Sequence, residues 1–230
     1  MNQANRYAMT LPTAQRIRMA LENDIVDGVY APGERIDPDR IASSYGCSRT
    51  PVREALQALE TSGLLQVMPK RGTFVTRLDI SELMQRFEVM AEMESLCARL
   101  ACRRADEADN DRIASSLTAC AEAAGAGDSD RYYVENTLFH QAIYHASHNA
   151  FLETETVRLQ TMLQPYRRRQ LLAKGRLRRS LEEHRLIAGA IREGDEVTAT
   201  QTMTDHVLMQ GERFRDLVAM LDHFPTAHKG

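Results

Sequence analysis

The stretch "GCSRTPVREALQALETSG", residues 46–63, decides the reading of the fold. Val52, Ala55, Leu56 and Leu59 fall at i, i+3, i+4 and i+7, which makes one buried stripe of an α-helix. Ser48 or Thr50 caps this helix, Pro51 lies in its first turn, and Gly63 stops it. Arg49, Arg53 and Gln57 share a second, exposed face. A helix start presents unpaired N–H groups with partial positive charge, which suits phosphate oxygens. Arginine can meet guanine O6 and N7 in the major groove with two parallel hydrogen bonds. A helix that only packed into a core has little use for such a beginning. Caps and surface arginines are common, however, so the helix alone fits a plain solvated surface equally well.

Its surroundings are more specific. A helix from about Thr13 carries Ile17, Ala20, Leu21 and Ile25 at helical spacing and ends at the turn signal Asp27-Gly28. "YAPGERI" places Pro32 and Gly33 in a turn before an extended piece through Ile36. "DPDRIASSYG" opens with Asp37 as N-cap and Pro38 at the first helical position, giving about two turns that close at Gly46. Beyond Gly63, "LLQVMPKRGTFVTRL" reads as β runs at 64–67 and 73–75, joined by a turn holding Lys70, Arg71 and Gly72. Three helices followed by a basic hairpin make a winged helix-turn-helix, in which the hairpin turn reaches a phosphate or the minor groove.

From Leu78 the texture changes to long helical patterns, at roughly 79–104, 107–124, 130–147, 150–172 with a possible bend at Pro165, 176–193 and 195–221. The breaks fall at 124–129, at 147–149, at Lys174-Gly175 and at 193–195. Short connections between long amphipathic helices indicate an antiparallel bundle. The expected fold is therefore mainly α, with a winged helix-turn-helix over 1–77, preceded by a loose tail at 1–12, and an all-helical bundle over 78–230.

The 230 residues, 43% hydrophobic and 27% charged, describe an ordinary globular chain with a net charge of −3. Through Arg77 there are 10 basic and 8 acidic residues, against 19 and 24 in the remainder. That places a slightly basic head on an acidic body. The four cysteines form no CxxC pair, so neither a zinc ribbon nor a disulfide framework is indicated. The N-terminus lacks the apolar run of a secretory signal, and no stretch is long and apolar enough to span a bilayer. A cytoplasmic protein without a membrane segment is expected.

"GVYAPGERI", "SRTPVREALQALETSGLL" and "KRGTFV" resemble the N-terminal domain of the GntR family of bacterial transcription regulators. The resemblance covers about Thr13 to Val75. It implies that Arg49 and Arg53 read or clamp an operator, that Ser48 and Thr50 contact phosphates, and that the wing at Lys70, Arg71 and Gly72 approaches the groove. Arg40 in the preceding helix is a weaker phosphate candidate. A homodimer reading an inverted repeat in double-stranded DNA is the expected arrangement.

In the body, three histidines lie on apolar stripes. His140 follows Asn136 by four residues and lines up with Ile143 and Tyr144. His184 is in register with Leu181, Ile187, Ala188 and Ile191, and His206 with Ala199, Met203, Val207 and Gln210. One such histidine is more often a satisfied core residue than a ligand. Three on three helices are harder to bury without a shared partner, and a divalent ion supplies one. His145, His148, His223 and His228 fall off the stripes or near the end of the chain and read as surface residues.

"NTLFHQAIYHASHN", "EEHRLIAGAIREGD" and "MTDHV" resemble the metal-site segments of the FCD domain, the helical effector domain of the FadR-type branch of that family. The resemblance implies a divalent transition metal, zinc or nickel, held by Asn136, His140, His184 and His206, and a small-molecule effector of the carboxylate class. Two departures stand out. Asn136 replaces the family's aspartate with a neutral, weaker ligand. Met90 occupies a position where the family often has an arginine. Arg167 and Arg168 could anchor an acidic effector instead, although "YRRR" also reads as a solvated basic run. Two other readings stay open: a regulator whose histidines merely fill the core, and a metal-dependent hydrolase. The hydrolase needs a base, and Glu183 lies about 100° around the helix from His184.

Overall fold

The computed structural model describes residues 12–171 and 175–212. The expected tail up to Leu11, Lys174 of the third break, the last helix beyond Glu212, His223 and His228 lie outside them. The chain divides into two compact units, one built on the residues up to Leu78 with Thr161–Tyr166, the other on Asp79–Gln160 and the residues from Arg167.

The first unit runs α1 (Thr13–Val26), β1 (Arg35–Ile36), α2 (Pro38–Ser44), α3 (Arg49–Thr61), β2 (Leu65–Met68) and β3 (Gly72–Val75). Asp37 caps α2 by accepting hydrogen bonds from the Asp39 and Arg40 N–H groups, with Pro38 at the first helical position. Val52, Ala55, Leu56 and Leu59 are all buried, as their spacing requires, and pack with Ile17, Leu21 and Ile36 in one apolar cluster. β2 and β3 pair antiparallel, with Leu65 opposite Val75 and Met68 opposite Gly72. The extended piece ending at Ile36 is itself a strand of this sheet. It pairs with the other edge of β3, giving the order β1-β3-β2.

The second unit is helical among the described residues: α4 (Ile80–Arg104), α5 (Glu107–Gly125), α6 (Ser129–Ala146), α7 (Ala150–Leu171), α8 (Arg176–Glu193) and α9 (Glu196–Glu212). Reciprocal capping boxes start α4, through Asp79 and Glu82, and α5, through Asp106 and Asp109. Asp128 caps α6. α7 continues through Pro165 as one helix. α8 ends at Gly194, whose φ of 72° lies in the left-handed region that glycine adopts without strain. α4 packs along α9 and also meets α6 and α8, so one buried stretch of α4 faces three histidine-bearing helices. No helix of the described residues is long and apolar enough to cross a membrane.

Leu59 is 1% exposed. Leu59→Ala should destabilise the protein by about 2–5 kcal/mol through lost burial and the cavity left behind. Gln57→Ala, on the exposed face of the same helix, should stay within about 0.5 kcal/mol. Urea unfolding followed by circular dichroism reads both.

Candidate functional site

In the first unit, Ser48 stands at the N-cap position of α3 in extended conformation, but its side chain makes no capping hydrogen bond. The expected cap is thus present by position and absent by contact, so no side chain of Ser48 occupies the first-turn N–H groups. Arg40, Ser48, Arg49, Thr50 and Arg53 are exposed around this helix start, and Lys70 and Arg71 are exposed in the β2–β3 turn. Lys70 has φ 62° and Gly72 φ 111°. A Cβ at Gly72 would lie 3.2 Å from Arg35 Nε, so both conformation and space favour glycine there. The Arg71 guanidinium lies 5.7 Å from the centroid of the Phe74 ring, which steadies it at the edge of the wing. Arg49 donates to Asp39 through two nitrogens, Nε to Oδ1 at 2.6 Å and Nη2 to Oδ2 at 2.9 Å.

In the second unit, His140 on α6, His184 on α8 and His206 on α9 are fully buried and come together. One ring nitrogen from each lies within 4.8 Å of the others. His140 Nδ1 is 2.5 Å from Glu94 Oε2, and His206 Nδ1 is 2.6 Å from Glu183 Oε2. An ionised carboxylate only accepts, so both Nδ1 atoms carry the proton and both Nε2 atoms present lone pairs. Those two Nε2 atoms face each other at 3.3 Å. His184 Nδ1 is buried with no hydrogen-bond partner among the described residues, and its ring stacks on Phe139 at 4.2 Å.

Burial pushes all three imidazoles below their ordinary pKa, and the neighbouring arginines push the same way. For His184 and His206 the shift is large, and neighbouring histidines add to it. For His140 the Glu94 carboxylate opposes it. Burial alone would raise the Glu94 carboxyl, but His140 and Arg167 beside it hold it well below the usual range. Arg167, 5% exposed, donates to Glu94 Oε1 at 2.7 Å, and its Nη2 approaches His140 Nε2 at 3.4 Å. Arg176 donates to Glu183 Oε2 at 2.8 Å. Two carboxylates and two guanidiniums therefore balance around three neutral imidazoles.

These residues fit a metal ion on their own chemistry. Two imidazole lone pairs facing each other repel unless a proton or cation lies between them, and His184 Nδ1 is buried without a hydrogen-bond partner among the described residues. Zinc–nitrogen bonds of about 2.0–2.1 Å in tetrahedral array put neighbouring nitrogens roughly 3.3 Å apart, the separation found here. Carboxylates on the far nitrogens of ligating histidines are the usual outer support of such a site. Asn136 is buried one turn before His140 on α6.

Of the residues singled out from the sequence, Asn136, His140, His184 and His206 all point to the buried side of their helices. Arg167 joins the cluster, so it is no part of a solvated basic run. Arg168 instead donates to Asp130 at 2.7 Å and lies over Tyr133. Met90 is core. His145 and His148 are exposed, although His148 reaches the buried Asp109 at 2.7 Å. Glu94 and Arg176 were not legible as partners. Glu94 left one trace, a glutamate on the same stripe as Phe87, Met90 and Ala101. Glu183 is turned away from His184, as its helix angle requires, but serves His206 and Arg176 and is no open base.

Residues 13–75 match the profile of bacterial regulatory proteins of the gntR family, and residues 85–208, more than half of the chain, match that of the FCD domain. The HTH-type transcriptional regulator YdhC of Bacillus subtilis (strain 168) is 28% identical over 187 residues, 81% of this chain and 84% of its own length. The HTH-type transcriptional repressor GlaR of Escherichia coli (strain K12) is 29% identical over 196 residues, 82% of this chain and 89% of its own length. The solved structure of E. coli McbR/YncC shares the fold, with a TM-score of 0.76 over 92% of this chain and 100% of its own, at 23% identity. These relatives and both domains are those of transcription regulators and not of enzymes. The chain belongs to the gntR family of bacterial regulatory proteins, in the FadR-type branch whose helical half is an FCD domain.

Proposed function

We propose that this regulator is a cytoplasmic homodimer, a repressor, that binds an inverted-repeat operator through residues 1–77 and a small carboxylate effector through residues 78–230. The observation that carries the effector half is the approach of His140 Nε2 and His206 Nε2 to 3.3 Å, with a carboxylate at the Nδ1 of each ring. His140, His184 and His206, with Asn136 as a neutral fourth donor, would hold a divalent transition metal, zinc or nickel. Bound there, the ion supplies an electrophilic position that a ligand carboxylate can occupy. Glu94 and Glu183 keep the imidazoles in the right tautomer and orientation. Arg167 brings to the cluster, from α7, the guanidinium that the family often places at position 90. Repression follows the relative GlaR, a repressor by name.

For the DNA half, the exposed start of α3 carries the reading. Arg49 and Arg53 present donors to the major groove, with Ser48, Thr50 and Arg40 beside phosphates and the wing at Lys70, Arg71 and Gly72 against the groove edge. A dimer sets two such helices about one turn of DNA apart. Effector binding changes DNA affinity only to the extent that the effector prefers one arrangement of the protein over another.

Elemental analysis of the purified, untagged protein should find about one zinc, nickel or similar ion per chain, and His140→Ala should remove it. No metal in either protein after supplementation would leave the histidines as core residues. Glu183→Gln, which replaces the carboxylate behind His206 by a neutral amide, should weaken metal affinity about 10- to 100-fold in a chelator competition. Glu94→Ala should also cost about 3–5 kcal/mol of stability by stranding Arg167, and Glu94→Met with Arg167→Met should recover much of it. On duplexes selected from a random library, Arg49→Ala and Arg53→Ala should each weaken binding by about 1–3 kcal/mol and flatten its salt dependence. Unchanged affinity and salt dependence in both would remove α3 from the interface.

A further inference from the structure

Among the described residues, Arg49 is the one basic side chain of the α3 and wing face held by a carboxylate. Its partner Asp39 stands in the first turn of α2, and the two form a parallel fork, Nε to Oδ1 at 2.6 Å and Nη2 to Oδ2 at 2.9 Å. Both side chains are largely in solvent, Arg49 74% and Asp39 62% exposed. An ion pair so exposed contributes little to stability. A carboxylate on this face also repels phosphate, so a surface serving only as a cationic track for DNA has no use for it.

The geometry of the fork supplies a use. A guanidinium has five N–H groups arranged along its edges. The edge of Nε and Nη2 is taken by Asp39. The edge of Nη1 and Nη2 remains, with two parallel N–H groups at the spacing that guanine O6 and N7 accept. A long arginine on an open surface otherwise samples many rotamers, and holding it in one is an entropic cost of binding. Asp39 meets that cost before DNA arrives and adds a negative charge that discourages binding where no guanine completes the contact. Asp37 in turn fixes the backbone of Asp39 by accepting its N–H at 2.9 Å.

We propose that Asp39 is a positioning residue for sequence recognition: it locks Arg49 with one edge outward for a guanine, and so sets base preference at one position of each half-site. This rests on the reading of α3 as the DNA-contacting helix. Substitution at Asp39 should alter which base is preferred more than how tightly DNA is held.

The experiment uses the full-length protein and a library of random duplexes long enough for two half-sites. The bound pool is sequenced for wild type, Arg49→Ala, Asp39→Asn and Asp39→Ala, and affinity is also measured on a scrambled duplex. Wild type should prefer guanine at a position where Arg49→Ala has lost the preference. Asp39→Asn and Asp39→Ala should reduce that same preference about tenfold, leave the other positions alone, and bind the scrambled duplex as well as or better than wild type. If they keep the guanine preference and merely tighten all DNA, Asp39 only repels phosphate and the proposal is overturned. If they tighten the selected operator alone, the fork holds Arg49 away from DNA and the proposal is likewise overturned. A profile unchanged in Arg49→Ala brings down the reading of α3 itself, an outcome distinct from a loss in Arg49→Ala with none at Asp39.

Discussion

Two imidazole nitrogens with their lone pairs turned toward each other, 3.3 Å apart in the buried interior, are the constraint on which the second unit depends. Neither can turn away, because each ring is held from behind by a carboxylate, Glu94 for His140 and Glu183 for His206. Those carboxylates are held in turn by Arg167 and Arg176. The result is two arms of the same design, guanidinium to carboxylate to imidazole, that converge from α7, α4 and α6 on one side and from α8 and α9 on the other. Each arm is neutral, which makes its burial tolerable. Beyond the Arg167 Nη2 that lies 3.4 Å from one tip, a cation shared by the tips and by His184 would relieve the repulsion between them.

The same pair of chemical groups does different work in the two units. Glu94 and Arg167 are enclosed, where the local dielectric is low and an abandoned partner is costly, so their pairing is a condition of folding. Asp39 and Arg49 lie in water, where the pairing energy is small and the fork geometry is what survives. The contrast follows from the helices that carry them. α3 buries Val52, Ala55, Leu56 and Leu59 and leaves its arginines outside, whereas α4 carries Glu94 within its apolar stripe.

The winged helix was legible because its apolar positions repeat and its stops are glycines in turns. β1 was not legible as part of the sheet: two residues carry no period, and Ile36 looks like any apolar residue ending a loop. The histidines could be found because each sits on a stripe, and stripes predict burial. Their partners could not be assigned in the same way. Arg167 and Arg168 are neighbours of identical chemistry, and only the phase of α7 sends one to Glu94 and the other to Asp130. Arg176 reaches Glu183 from two turns earlier on α8, a choice made by tertiary packing. Ser48 shows the converse limit, since residue type predicted a cap and the side chain makes none.

Asn136 stands where the resemblance to the FCD domain implies an aspartate, and the difference in charge has a consequence for any bound ion. With the two arms neutral, an aspartate at position 136 would leave a bound divalent ion with one uncompensated positive charge, and Asn136 would leave it with two. The amide dipole is a weaker donor, so a metal would be held less tightly. The larger residual charge, acting where water is scarce, favours an anionic ligand more strongly. On the proposed reading, affinity moves from the metal to the ligand that completes its coordination, and metal and carboxylate then stabilise each other in the cluster. Arg167 would strengthen the same bias, because its Nη2 lies 3.4 Å from His140 Nε2 and places a second positive charge beside the cluster.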